Sequence, residues 1–135
     1  MGTGSLKEQI QARVCAKNLQ QSVLFLGARS DMAELYQAFD VLALPSFQEG
    51  MPVVGVEAQA TGLPGVFADT ITPEVLLLPT SKMLSLKDSP AKWAQEILAL
   101  KNTPRTSGAE ALRAKGFDIR QTARQIQDFY LELEK

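Results

Sequence analysis

Short apolar runs alternate with stretches of helical period along most of this chain. Residues 22–27 (SVLFLG), 41–44 (VLAL) and 63–68 (LPGVFA) are strand-sized and carry β-branched or aromatic residues. Runs that are apolar throughout, rather than every second residue, belong to strands buried on both faces, and such strands form parallel sheets covered by helices. Between them lie helical patterns. Leu6, Ile10 and Val14 share one side of residues 6–19, and Met32, Leu35, Tyr36 and Phe39 share one side of a short helix that Ser30 or Asp31 can cap. Pro52 at the first helical position and Gly62 just past the end bound a third helix. Residues 69–79 are turn-rich, and residues 83–86 suit a short edge strand. Asp88-Ser89-Pro90 opens a helix over 91–100 with Trp93, Ile97 and Leu100 inward. Gly116 stops a helix over 108–115, and Asp118 caps a last one over 119–134. The order predicts an α/β fold: a small parallel sheet of three or four strands with helices on both faces.

The chain begins with Gly2-Thr3-Gly4-Ser5 and a helix, where an α/β sheet usually begins with a strand. That order leads us to expect a single domain over residues 1–135, cut from something larger and lacking its first strand or two. At 135 residues, 45% hydrophobic and 21% charged, it is long enough for one core and not disordered. Its 14 basic and 15 acidic residues give a net charge of −1, interspersed rather than blocked, so no nucleic-acid partner is expected. A single cysteine, Cys15, excludes an internal disulfide, and the reading for it is a small core hydrophobe. With no histidine, histidine-based triads and the commonest zinc ligand are absent. No apolar stretch is long enough to span a membrane, and no leader pattern follows Met1; a soluble, reducing compartment is the expectation.

Residues 45–58 (PSFQEGMPVVGVEA) carry the chemistry. They lie where a buried parallel strand hands over to a helix, and ligands of open α/β sheets bind at that carboxyl end. The free N–H groups of a first helical turn, here at Val53 and Val54, with the positive end of the helix dipole, suit a diphosphate. Gly50 lets the backbone approach a ligand closely. Glu49 precedes the helix and Glu57 interrupts its apolar run, with a rise of roughly 7.5 Å between Pro52 and Glu57. Ionised carboxylates accept only, so two of them at that spacing suit two sets of sugar hydroxyls with phosphate between. Gly55, inside the same helix, costs about 1 kcal/mol relative to alanine, which calls for close packing or ligand approach.

The spacing Glu49–seven residues–Glu57, within Pro45-Ser46, Glu49-Gly50-Met51-Pro52, Glu57-Ala58 and Gly62-Leu63-Pro64, resembles the signature of family 4 retaining glycosyltransferases. Residues 23–27, 40–46, 69–74 and 84–86 and Trp93 fit in order, and the set resembles bacterial exopolysaccharide and capsule enzymes over residues 4–130. The resemblance implies one Rossmann-like half of a GT-B fold, the C-terminal, nucleotide-sugar-binding half. In it Glu49 would be the catalytic residue, binding donor-sugar hydroxyls and stabilising charge at the anomeric carbon. Ser46, Gly50, Met51 and Pro52 would lie along sugar and phosphate, with Val53 and Val54 on the distal phosphate. Glu57 would hold the ribose hydroxyls, and Gly27, Ala28 and Arg29 would lie beside the base. The implied donor is a UDP- or GDP-sugar, and the implied acceptor a glycan or lipid-linked sugar, reached at the cytoplasmic face of the membrane. No metal or other cofactor is implied, in keeping with the lack of an Asp-x-Asp motif. The family's acceptor-binding N-terminal domain and its diphosphate-neutralising Arg and Lys find no match here, so the 135 residues alone are expected to bind donor weakly and transfer nothing.

Plainer readings stand beside these. Arg29 lies within sequence reach of Asp31, Lys82 reads as an exposed loop lysine, and Trp93 reads as core. The last helix carries Ile126, Phe129, Tyr130 and Leu133 as a second apolar set, expected to be exposed. Other functions on the same architecture are a GT-B-type nucleotide-sugar epimerase and a non-catalytic interaction module. The epimerase reading lacks the acids and histidines it relies on.

Overall fold

Backbone pairing joins β1 (Leu42–Leu44), β2 (Gly65–Ala68) and β3 (Lys82–Leu84) into a parallel sheet in the order β1-β2-β3, in a computed structural model that describes residues 4–133. Leu42 is in register with Gly65, and Val66 with Lys82. Parallel neighbours need crossovers, and α3 (Val53–Ala60) supplies the one from β1 to β2, flanking both strands. The second crossover contains a 3-10 turn (Pro73–Val75) rather than an α-helix. The α/β reading therefore holds, with three strands among the described residues.

Two compact units divide the chain, one up to Met32 and one from Ala33 onward. In the first, α1 (Lys7–Ala16) buries nothing and ends before the expected Leu19. Asn18 takes a left-handed φ of 53°, which asparagine tolerates better than most residues, and the Leu19 N–H closes on Val14 O at 3.0 Å. Cys15 is exposed, not a core residue. Residues 22–27 form no strand. Their composition suits one, but a strand needs a partner for its backbone groups, and the three observed strands pair only with each other. Leu24 is accordingly 76% exposed. The Gly2-Thr3 part of the opening turn and the end of the last helix at Glu134 lie outside the described residues.

The second unit holds the sheet and its core. Phe67, Ala68, Ile71 and Val75 are fully buried or nearly so, with Leu42, Leu44, Met51, Met83 and Trp93 packed against them. Gly55 finds its reason here. A Cβ at that position would lie 2.8 Å from Phe67 Cε1 and 3.1 Å from Val75 Cγ2, so close packing, not a ligand, excludes a side chain. Pro52 is the N-cap of α3 rather than its first residue, with extended backbone (φ −72°, ψ 110°). Gln59, fully buried, is the latch of this unit. Its Nε2 donates to Gly55 O (2.9 Å) and Val75 O (2.7 Å), and its Oε1 accepts from the N–H groups of Leu77 and Leu78 (both 3.0 Å). The amide thus uses its full hydrogen-bonding capacity within the chain and ties α3 to residues 75–78, between β2 and β3.

Beyond the sheet, α4 (Pro90–Leu100) is capped by the Ser89 hydroxyl accepting from Lys92 N, and the Trp93 indole donates to Ser85 O at 3.0 Å. Lys82 is a strand residue paired with Glu96 at 2.7 Å, not a loop lysine: the β2–β3 register draws it into the ladder. After α5 (Ala109–Ala114), Gly116 turns the chain at φ 85° and Asp118 accepts from Arg120 N at 2.9 Å, starting α6 (Ile119–Leu133). Ile126, Phe129, Tyr130 and Leu133 on α6 are more than half exposed, as expected.

Candidate functional site

The carboxyl end of β1 runs directly into the loop that starts α3, which places the residues 45–57 at the sheet end favoured for ligands. No side chain caps α3, and its first backbone bonds are Gly55 N and Val56 N to Pro52 O. The first turn thus begins with no protein side chain on the N–H groups of Val53 and Val54, the condition for an anion to take that role. Gly50 is exposed with open space where a Cβ would stand, so nothing in the chain itself requires glycine there. Met51 and Pro52 turn inward. Met51 packs on the core and Pro52 is buried, which leaves their backbone for any ligand contact.

Each of the two acids is exposed and held by a hydroxyl. Glu49 Oε1 accepts from Ser46 Oγ at 3.0 Å, and Ser46 is itself fixed through its carbonyl, which accepts from Thr70 Oγ1 at 2.6 Å. Thr70 follows Asp69 in the turn after β2; that carboxyl lies below its usual range because the Ser85 hydroxyl and the Leu86 N–H donate to it. Glu57 Oε2 accepts from Tyr36 Oη at 2.9 Å. Tyr36 sits on α2 (Met32–Ala38) at 3% exposure, and its pKa is pushed up to about 12, by burial first and by the neighbouring carboxylate second. The phenol is the donor of this pair, because the ionised carboxylate only accepts. Arg105 Nη1 in turn donates to Tyr36 O (2.9 Å) and Gln37 O (3.1 Å), satisfying carbonyls at the end of that short helix.

Ser46, Glu49, Gly50, Val53, Val54 and Glu57 thus occupy one loop and helix start, as the sequence spacing requires. Gly27, Ala28 and Arg29 belong to the other unit. There Gly27 adopts φ 66°, a fold reason for glycine, and Arg29 pairs with Asp31, its Nε 2.7 Å from Oδ1. That pairing raises the guanidinium pKa and lowers the carboxyl's. Sequence reasoning passed over Tyr36, Thr70 and Arg105. A tyrosine within an apolar helical stripe was the available signal, because a buried phenol needs a partner.

Residues 1–103 match the family described as glycosyl transferases group 1. The chain belongs to that family. Among curated relatives it is 38% identical over 133 residues to EpsF of Bacillus subtilis, a protein described as a glycosyltransferase, covering 96% of this chain and 35% of EpsF. It is 46% identical over 52 residues to the UDP-Gal:alpha-D-GlcNAc-diphosphoundecaprenol alpha-1,3-galactosyltransferase of Escherichia coli, covering 38% of this chain and 13% of that enzyme. It is 26% identical over 143 residues to the lipopolysaccharide core biosynthesis mannosyltransferase LpsB of Rhizobium meliloti, covering 96% of this chain and 39% of that protein. The chain therefore spans well under half the length of these relatives. No helix among the described residues is long and apolar enough to cross a membrane.

Proposed function

We propose that this chain is the nucleotide-sugar-binding domain of a retaining hexosyltransferase that extends a bacterial surface polysaccharide or a lipid-linked precursor. The observation that carries the proposal is the pair of exposed, hydroxyl-held carboxylates, Glu49 and Glu57, on either side of a helix start that no side chain caps. Glu57 takes the ribose hydroxyls of a UDP- or GDP-sugar. The N–H groups of Val53 and Val54 take the distal phosphate, with the backbone of 50–52 alongside. Glu49 takes hydroxyls of the sugar and stabilises the positive charge that develops at its anomeric carbon as the diphosphate leaves. The amides of α3 stabilise that leaving group without a metal ion. A second domain of the full protein supplies the acceptor site, and the names of relatives that act on undecaprenol-linked sugars favour a lipid-linked acceptor met at the inner membrane face.

Thermal unfolding of the chain with UDP, GDP, ADP and orthophosphate tests this. A diphosphate present at about 100 times its Kd stabilises by about 2.7 kcal/mol, on the order of 10 °C for a chain of this size. Stabilisation by UDP or GDP, lost in Glu57→Gln and not reproduced by orthophosphate, is the expected result. An equal response to orthophosphate, or none to any nucleotide, refutes the assignment.

A further inference from the structure

We infer that Tyr36 is a positioning residue that aims Glu57 so that the site selects a ribose over a 2′-deoxyribose. The inference rests on the proposed role of Glu57 and goes beyond it. Glu57 is exposed on α3, whereas Tyr36 is buried on α2, 21 residues earlier, and the two meet through a single 2.9 Å hydrogen bond. A glutamate on a helix surface otherwise samples several rotamers, and ordering it on binding costs about 1 kcal/mol or more. The phenol removes much of that freedom in advance. It occupies one acceptor position on Oε2 and leaves roughly three on the carboxylate, enough for the two hydroxyls of a vicinal diol.

The phenol is itself held at a fixed place. Arg105 clamps the carbonyls of Tyr36 and Gln37, and the buried ring cannot swing out to follow the acid. A phenol is protonated throughout the physiological pH range, so it donates to Glu57. Nothing else in the second unit requires a hydroxyl at position 36: the ring alone suits the apolar stripe it shares with Leu35 and Phe39.

The test compares dissociation constants of UDP with 2′-deoxy-UDP, and of GDP with 2′-deoxy-GDP, by titration calorimetry on the full chain. A hydrogen bond to a charged group corresponds to about tenfold or more, so the unsubstituted chain prefers the ribonucleotide by about that factor. Tyr36→Phe reduces the preference to about threefold or less, with deoxynucleotide affinity held within about twofold. Glu57→Gln removes the acid that meets the ribose and sets the floor of the preference, against which the Tyr36→Phe value is read. In the double variant the losses do not add. A Tyr36→Phe chain that keeps the full preference overturns the inference while leaving the donor-binding proposal standing, and so does equal weakening of both nucleotides in that chain. Failure of the unsubstituted chain to bind any of the four overturns both.

Discussion

Replacing Gln59 by methionine conserves length and volume while removing every polar contact of the buried amide. The side chain makes four hydrogen bonds, to Gly55 O, Val75 O, Leu77 N and Leu78 N. At about 1 kcal/mol each, the upper figure is about 4 kcal/mol. Leu77 N and Val75 O retain a 3.0 Å bond to one another, so the loss settles nearer about 3 kcal/mol. That is a large share of the 5–15 kcal/mol typical of a domain. Urea denaturation followed by fluorescence of Trp93, the chain's one tryptophan, reads it directly. With a slope of about 1.5 kcal/mol/M, the midpoint falls by about 2 M. Gln121→Met, on the exposed surface of α6, is the control and shifts by less than about 0.5 kcal/mol. A midpoint for Gln59→Met within about 0.5 M of the unsubstituted chain refutes the claim that this amide ties α3 to residues 75–78.

Gly55→Ala is expected to destabilise despite alanine's better helix propensity: the gain of about 1 kcal/mol is outweighed by a clash with Phe67 and Val75, for a net loss of about 1 kcal/mol in the same urea experiment. Tyr36 makes stability depend on pH at the alkaline end. Its folded pKa, about 12, lies above the ordinary value of 10, so its contribution is complete below pH 10 and is lost as pH rises through 12. The difference corresponds to about 3 kcal/mol at most, and Tyr36→Phe removes it; unfolding midpoints of the two chains that decline in parallel from pH 10 to 12 contradict this.

What was legible in the sequence depended on how many independent signals coincided. β2 and α4 were plain because an apolar run or a Ser-Pro start coincided with a clear end. Residues 22–27 carried only composition, and composition does not supply a hydrogen-bonding neighbour. The carboxylates Glu49 and Glu57 stood out because they interrupt or precede an apolar helix. Gln59 did not, because eight residues make barely two turns, too few for periodicity to say which side faces inward. In the structure Val53 is 66% exposed and Gln59 is 0%. Tyr36, read only as part of an apolar stripe, uses its ring for that stripe and its hydroxyl for a residue on another helix. Pairings of that kind are set by tertiary distance and leave no mark in local spacing.

The clamp of Arg105 on α2 reaches across 69 positions of the chain. Contacts this far apart close late, because a long loop must be ordered before they return any stabilisation. During synthesis Glu57 and its phenol leave the ribosome well before the guanidinium that steadies their scaffold. The acid's final aim is therefore fixed only when the distant half of the unit has been made, and a nascent chain halted short of that point would hold the right groups on an unanchored support.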